Sequence, residues 1–436
     1  MTFPADLPGD TSASDASRGC PMVEVDPAQY PDHAFPPFLE RLLAGGPVRR
    51  ISIPGDLDAW AVTRYADARA ALRDPRLIKD PLRLANPGHG LGRGRHLEDG
   101  IAVVGRHMLN TDGPDHVRLR ATVTAALSAS AGPPWATSVG VEIQRLLATL
   151  ADRAQFDLVD DFARPLQLFY LSTLLGLPLT QTNDLLTSVT WLSGPYDPQS
   201  AVVRGAHRHF GSTVSRLLDE RRAGEESDLL THISRVHRQG SISRREAIGV
   251  VSAVMIGAGA TTVTALSYGT FLALRSAGLR HELLAGHART QAAVEEILRF
   301  HTPVPFTTWR FAREPLQIAD TPIPQGDIVL ICLATASRDP LVFDPPDALR
   351  APRPTSPAIL SFGHGPHHCS GAAPARLLLR IAIPALLARF PQLRLTAPDT
   401  PVRWNDALLD RRPLAIHVTP GQPSDAAGGA DDRPTA

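Results

Sequence analysis

The chain has 436 residues, 43% hydrophobic and 20% charged, which fits a globular protein with a large core and excludes a disordered or fibrous one. Basic and acidic residues balance at 44 each, so no net field points to nucleic acid or an anionic membrane. Lys79 is the only lysine among the 44 basic residues, and this bias fits a GC-rich genome more simply than a physical need. Three cysteines (Cys20, Cys332 and Cys369) are too few for a disulfide framework and point to a reducing cytoplasm. No basic segment followed by an apolar run opens the chain, so no secretory signal is expected.

Residues 1–22, rich in Pro, Asp, Ser and Gly, are expected to be disordered, as is the tail 421–436. Residues 23–420 then form one folded domain. Residues 48–53 and 59–65 alternate apolar and polar side chains around Pro54-Gly55-Asp56 and predict a hairpin. Glycines 88, 90, 92, 94 and 100 make 86–100 a loop. It lacks Gly-Lys-Ser/Thr, so it reads as a mobile lid rather than a phosphate loop. Helical patterning dominates from Asp115 to about Arg299, most clearly at 166–175, 201–221 and 247–274. Ser243 and Glu246 form a capping-box pattern that starts the third of these near Arg244. Residues 247–274 carry no charge and are long enough to span a bilayer. Their many small residues predict a buried central helix instead. Strands are predicted at 316–318 and 328–333, followed by Pro-rich connections through 340–357. A last helix follows Cys369 and is expected to bend or break at Pro384. The pattern is a mainly α protein with a minor β portion.

The chemistry centres on Phe362-Gly363-His364-Gly365-Pro366-His367-His368-Cys369-Ser370-Gly371. Its glycines let the backbone turn tightly and lie close to a flat ligand. The apolar run after Cys369 places the sulfur at a helix N-terminus, where amides and dipole favour thiolate. Three uses are open. Zinc could take Cys369 with His364, His367 or His368. A Cys–His pair could act as a nucleophile. A thiolate could also be the axial ligand of haem iron.

This stretch resembles the haem loop of the cytochrome P450 family, Phe-Gly-x-Gly-x-His/Arg-x-Cys-x-Gly, as found in its soluble bacterial members. Phe362, Gly363, Gly365, His367, Cys369 and Gly371 all match. The resemblance implies the triangular P450 fold, with haem b between a long central helix and the Cys-ligand loop. Cys369 would be the iron ligand, Phe362 would shield the sulfur from water, and His367 would meet a haem propionate. Further matches follow in the family's order. His116 and Arg120, in Asp112-Gly113-Pro114-Asp115-His116-Val117-Arg118-Leu119-Arg120, share a helix face and would hold a propionate. Trp309-Arg310-Phe311-Ala312 assigns the same role to Arg310. Glu296 and Arg299 match the family's structural Glu-x-x-Arg. The third member of that network is open among Ala348, Arg350 and Arg353.

Gly257-Ala258-Gly259-Ala260-Thr261-Thr262 resembles the family's oxygen-binding helix. Thr261, followed by Thr262, would help deliver protons. The departure is Ala260, where the family usually has an acid. Either ordered water replaces that acid, or the chemistry is altered to oxidative coupling or a peroxide-driven reaction, or a substrate polar group assists. Segments that line the family's substrate pocket contain Val103, Val104, Leu192, Met255, Ala258, Val304, Phe306 and Leu408, with Val304, Ala258 and Phe306 foremost. The implied activity is a haem-thiolate monooxygenase that tailors a polyketide, peptide or terpenoid, fed by a separate ferredoxin and reductase. A haem protein that binds its ligand without turnover is the alternative of another class. Neither nucleic acid nor membrane is expected as a partner.

Overall fold

A computed structural model describes residues 22–53, 57–84, 105–193, 200–221, 228–353, 357–405, 407 and 411–421. The predicted terminal disorder (apart from Met22 and Gly421), the glycine loop 86–100, Val103, Val104 and Leu408 lie outside them.

Helices dominate, as expected, and the strands are short. The predicted hairpin is Val48–Ile53 paired antiparallel with Leu57–Val62. Its second arm ends early because Tyr65 opens a helix, Tyr65–Ala71, whose first backbone amide is held by Asp339 Oδ2 at 2.9 Å. The hairpin belongs to a six-stranded sheet ordered Val23–Glu24, Val48–Ile53, Leu57–Val62, Ile328–Ile331, Arg310–Ala312 and Leu77–Ile78. Leu57–Val62 pairs parallel with Ile328–Ile331. That strand stops short of 333 because Leu333 begins a one-turn helix, Leu333–Ala336. Strand Leu316–Ile318 has its predicted bounds and pairs with Thr321–Ile323.

The uncharged stretch forms two helices, Arg244–Ala258 and Ala260–Arg275, separated at Gly259. The Ser243–Glu246 capping box is present in both directions. By length and hydropathy this run could cross a membrane. Here it forms the middle of the fold. Val250, Val251 and Met255 belong to one hydrophobic core cluster, and Val263, Leu266 and Leu272 to another. An apolar helix with neighbours on both sides is what an interior position requires.

The last helix, Ala372–Arg389, is not interrupted at Pro384. Proline removes one backbone donor there. Leu378, Leu379, Ile383, Leu386 and Leu387, all buried in the first cluster, hold the helix together across it.

Candidate functional site

The cysteine loop is shaped by its glycines. Gly363 and Gly365 have φ of 71° and 75°, a region that costs a residue with Cβ on the order of 1 kcal/mol. A Cβ on Gly365 would also lie 2.9 Å from the Leu72 carbonyl oxygen. The turn closes through Cys369 N–H donating to Phe362 O at 2.8 Å and His368 N–H donating to Gly365 O at 3.0 Å. The helix Ala372–Arg389 starts three residues later, so Cys369 stands just before its N-terminus.

Cys369 exposes its side chain, but only to the cavity it lines, about 1130 Å³ of empty space that is partly open to solvent. Protein surrounds it otherwise, and this burial pushes the thiol pKa up. The Gly371 N–H, Arg120 and Arg376 act against that rise without overcoming it. The expectation that helix amides alone would favour thiolate is therefore corrected: desolvation is larger. A raised thiol makes a poor nucleophile, whereas a bound cation would deprotonate it. Phe362 also lines the cavity, with the Arg376 guanidinium 4.4 Å over its ring.

One end of the cavity gathers unpaired nitrogens, two on its wall and one just behind it. Arg310 is 3% exposed. Its Nη1 donates to Leu77 O at 3.3 Å, and its Nε has no partner. Burial brings its pKa down to about 10. The His116 and His367 rings pack against each other at 47°, with centroids 4.1 Å apart, and His116 Nε2 and His367 Nδ1 also lack partners. His367 is pushed down to about 4, by burial first and then by Lys79, Arg310 and His116. Its other nitrogen faces Asp112 Oδ1 at 3.7 Å. Burial works to raise the Asp112 pKa, but the His367 ring beside it and hydrogen bonds from the Asp80 and Lys79 amides outweigh it and hold the carboxyl low. Arg120, on the same helix as His116, is half-buried. Its pKa is lowered by burial, while the charge of Cys369 opposes that fall. A buried polar nitrogen left unpaired costs on the order of 1–3 kcal/mol, so the Arg310 guanidinium, with two unpaired imidazole nitrogens close by, favours an anion here.

The opposite wall is the broken helix. Gly257, Thr261, Thr262, Ala265 and Leu266 line the cavity, whereas Ala260 does not. Gly259 is tightly placed, since a Cβ there would meet Met255 O at 2.9 Å. Thr261 Oγ1 donates to Gly257 O at 2.6 Å across the break.

Of the substrate-contact expectations within the described residues, only Val304 lines the cavity. Leu192 and Met255 are buried in a core cluster with Ala258 packed against it, and Phe306 is buried in another. Met255 and Ala258 share a helix with the cavity-lining Gly257, and Phe306 is next to the cavity-lining Thr307, yet none of the three lines the cavity. Residues that sequence reasoning missed also form the wall: Lys79, Leu109, Leu298, Thr307, Thr308 and Ser361. The one-in-44 rarity of Lys79 was the only available signal.

Behind the loop, Glu296 pairs with Arg299 at 2.8 Å and with Arg353 at 2.9 Å. Arg353 is thus the third member of the network. Arg350 contributes only its backbone amide, at 2.9 Å, and Ala348 only its carbonyl. Burial works to raise Glu296, and the two guanidinium groups outweigh it, so its carboxyl is held low. Among the described residues no three His, Cys, Asp or Glu side chains converge as a metal cluster, so the zinc set is not formed. A flat ligand with its metal toward Cys369 and its carboxylates toward Arg310, His116 and His367 fits every feature of this cavity.

Residues 280–418 match the family model described as Cytochrome P450. The chain is 33% identical to cytochrome P450 107B1 of Saccharopolyspora erythraea over 86% of its own length and 92% of the relative's. It is 30% identical to the polyketide biosynthesis cytochrome P450 PksS of Bacillus subtilis, over 79% and 85% respectively. The tirandamycin C-bound structure of the P450 monooxygenase TamI superposes with a TM-score of 0.80 at 31% identity, covering 91% of this chain and all of the other.

Proposed function

The chain belongs to the cytochrome P450 family, a haem-bearing oxidoreductase that incorporates oxygen, and on that premise we propose that it inserts one oxygen atom from O2 into a secondary metabolite. A polyketide is the first candidate substrate class, ahead of peptides and terpenoids, because PksS carries that word in its name. Residues 23–420 form the single catalytic domain and act in the cytoplasm. Electrons arrive from a separate ferredoxin and reductase, in keeping with the bacterial members of the family.

The observation that carries this reading is the meeting, in one cavity, of the Cys369 sulfur and the orphaned nitrogens of Arg310 and His367, with the orphaned His116 nitrogen on a ring packed against His367. Haem, when bound, supplies thiolate-ligated iron that activates dioxygen. The protein does the rest. Cys369 ligates. Arg310, His116, Arg120 and His367 hold the carboxylates by charge-assisted bonds. Phe362 keeps water from the sulfur, and Gly371 leaves room beside it. Val304 and Leu109 give the substrate an apolar wall. The Thr261 hydroxyl proton is committed to the Gly257 carbonyl. Its oxygen is therefore an acceptor, and it relays a proton only after receiving one from water or substrate.

The decisive measurement is the carbon monoxide spectrum of the reduced protein. The strongly red-shifted Soret band of a thiolate complex is expected, and Cys369→Ala abolishes it together with turnover. An unchanged band in that variant would sink the reading.

Altered chemistry has one specific observation in its favour. Among the described residues no acid lines the broken-helix wall, and Ala260 stands at the position where the family usually has one. Ala260→Glu is expected to reduce the share of electrons lost to peroxide. Unchanged rate and coupling would show that Ala260 is not limiting. Efficient product formation with peroxide alone would favour the peroxide-driven reading. A tightly bound ligand never oxidised with intact redox partners would favour the non-turnover one.

A further inference from the structure

Lysine occurs once in this chain, and that lysine is buried, 5% exposed, at the carboxylate end of the cavity. It directly follows strand Leu77–Ile78, which pairs with Arg310–Ala312. There the strand pairing ends and the side chain takes over. Lys79 Nζ donates to Thr308 O at 2.9 Å, to Trp309 O at 3.1 Å and to the Thr308 hydroxyl. Its own amide donates to Asp112 Oδ2 at 2.8 Å, the carboxylate that faces His367. One residue thus ties the approach to Arg310 to the start of the helix that carries His116 and Arg120. Thr307, Thr308 and Arg310 all line the cavity.

We propose that Lys79 is a positioning residue for the haem carboxylates, which fixes the 307–310 segment and adds a buried positive charge beside Arg310 and His367. This rests on the haem reading above and is independent of which substrate is oxidised. Arginine cannot replace it. An ammonium points three donors tetrahedrally and meets three oxygens crowded on two consecutive residues. A guanidinium is longer and planar, and presents its donors as a flat fork. That accounts for a lone lysine in a chain where 43 other basic positions are arginine.

The test uses the haem-loaded protein and two readouts other than activity: the rate of haem transfer to an acceptor apoprotein, and the ferric/ferrous reduction potential. Lys79→Met is expected to lose haem about tenfold faster, as loss of a charged hydrogen-bond donor implies, and to shift the potential negative. Lys79→Arg keeps the charge and a near-normal potential but still loses haem faster. Thr308→Val removes one of the three acceptors and speeds haem loss with the potential unchanged. Unchanged haem loss or unchanged potential in Lys79→Met overturns the proposal, as does full retention in Lys79→Arg. If Lys79→Met does not fold, the other two variants carry the test. Absence of the red-shifted carbonyl band in the wild-type protein would instead count against the haem reading itself.

Discussion

Around Cys369 polar atoms are tied down by charge, whereas the helix across the cavity has no charged side chain from 247 to 274. On the cysteine side, Glu296 holds two arginines. Arg299 also donates to the carbonyls of Ser337, Pro346 and Ala348 at 2.9, 2.8 and 3.1 Å. Ser361, one residue before Phe362, donates to Leu298 O at 2.7 Å. On the other side small residues, a break at Gly259 and the Thr261 hydroxyl turned onto Gly257 form the wall. The difference teaches that ligand geometry is set by directional, buried charge, while room for substrate and oxygen is left by small side chains that impose little direction.

The sharpest way to break the contrast is to remove charge from the braced wall. Glu296→Gln leaves Arg299 and Arg353 buried without their carboxylate and should cost about 3–5 kcal/mol, seen as a large drop in unfolding midpoint and poor haem uptake. An unchanged midpoint would mean the loop stands without its charges.

The second test falls where the two walls meet. His301 follows the helix of Glu296, and its ring lies 4.5 Å from Tyr268 of the broken helix and 5.0 Å from Trp404. Burial, with Arg338 and Arg411 nearby, pushes its pKa from 6.5 down to about 3. The folded protein thus keeps His301 neutral where the unfolded chain takes up a proton. Its contribution is whole above pH 6.5 and is lost as pH falls toward 3. The loss between pH 6.5 and 5 is about 2 kcal/mol. In His301→Phe the fall of stability with acid should be shallower by that amount. An identical pH profile would refute the assignment.

The smallest effect belongs to the start of the uncharged wall. Ser243→Ala removes one half of the capping box and should cost about 1 kcal/mol without altering the carbonyl spectrum. A spectral change would show that this wall, too, controls the metal side.

Local signals explain what was legible. The paired glycines and the cysteine mark the ligand loop because positive φ and a helix start are properties of a few adjacent residues. The capping box placed the start of the central helix for the same reason, and alternation placed the hairpin. Arg353 was not separable from Arg350 or Ala348, because a Pro-rich segment must fold back before one of them reaches Glu296. Met255 and Phe306 lie in the core and not on the cavity, because a residue's place in the chain says little about which way its side chain faces once the elements are packed. The thiol's raised pKa also ran against the local cue, since desolvation depends on everything that surrounds it. Sequence by itself determined the fold class, the ligand loop and the chemistry of its donors. Only the tertiary structure decided which side chains face the cavity, which arginine completes the brace and which carbonyls Lys79 meets, because those outcomes depend on contacts between residues tens to hundreds of positions apart.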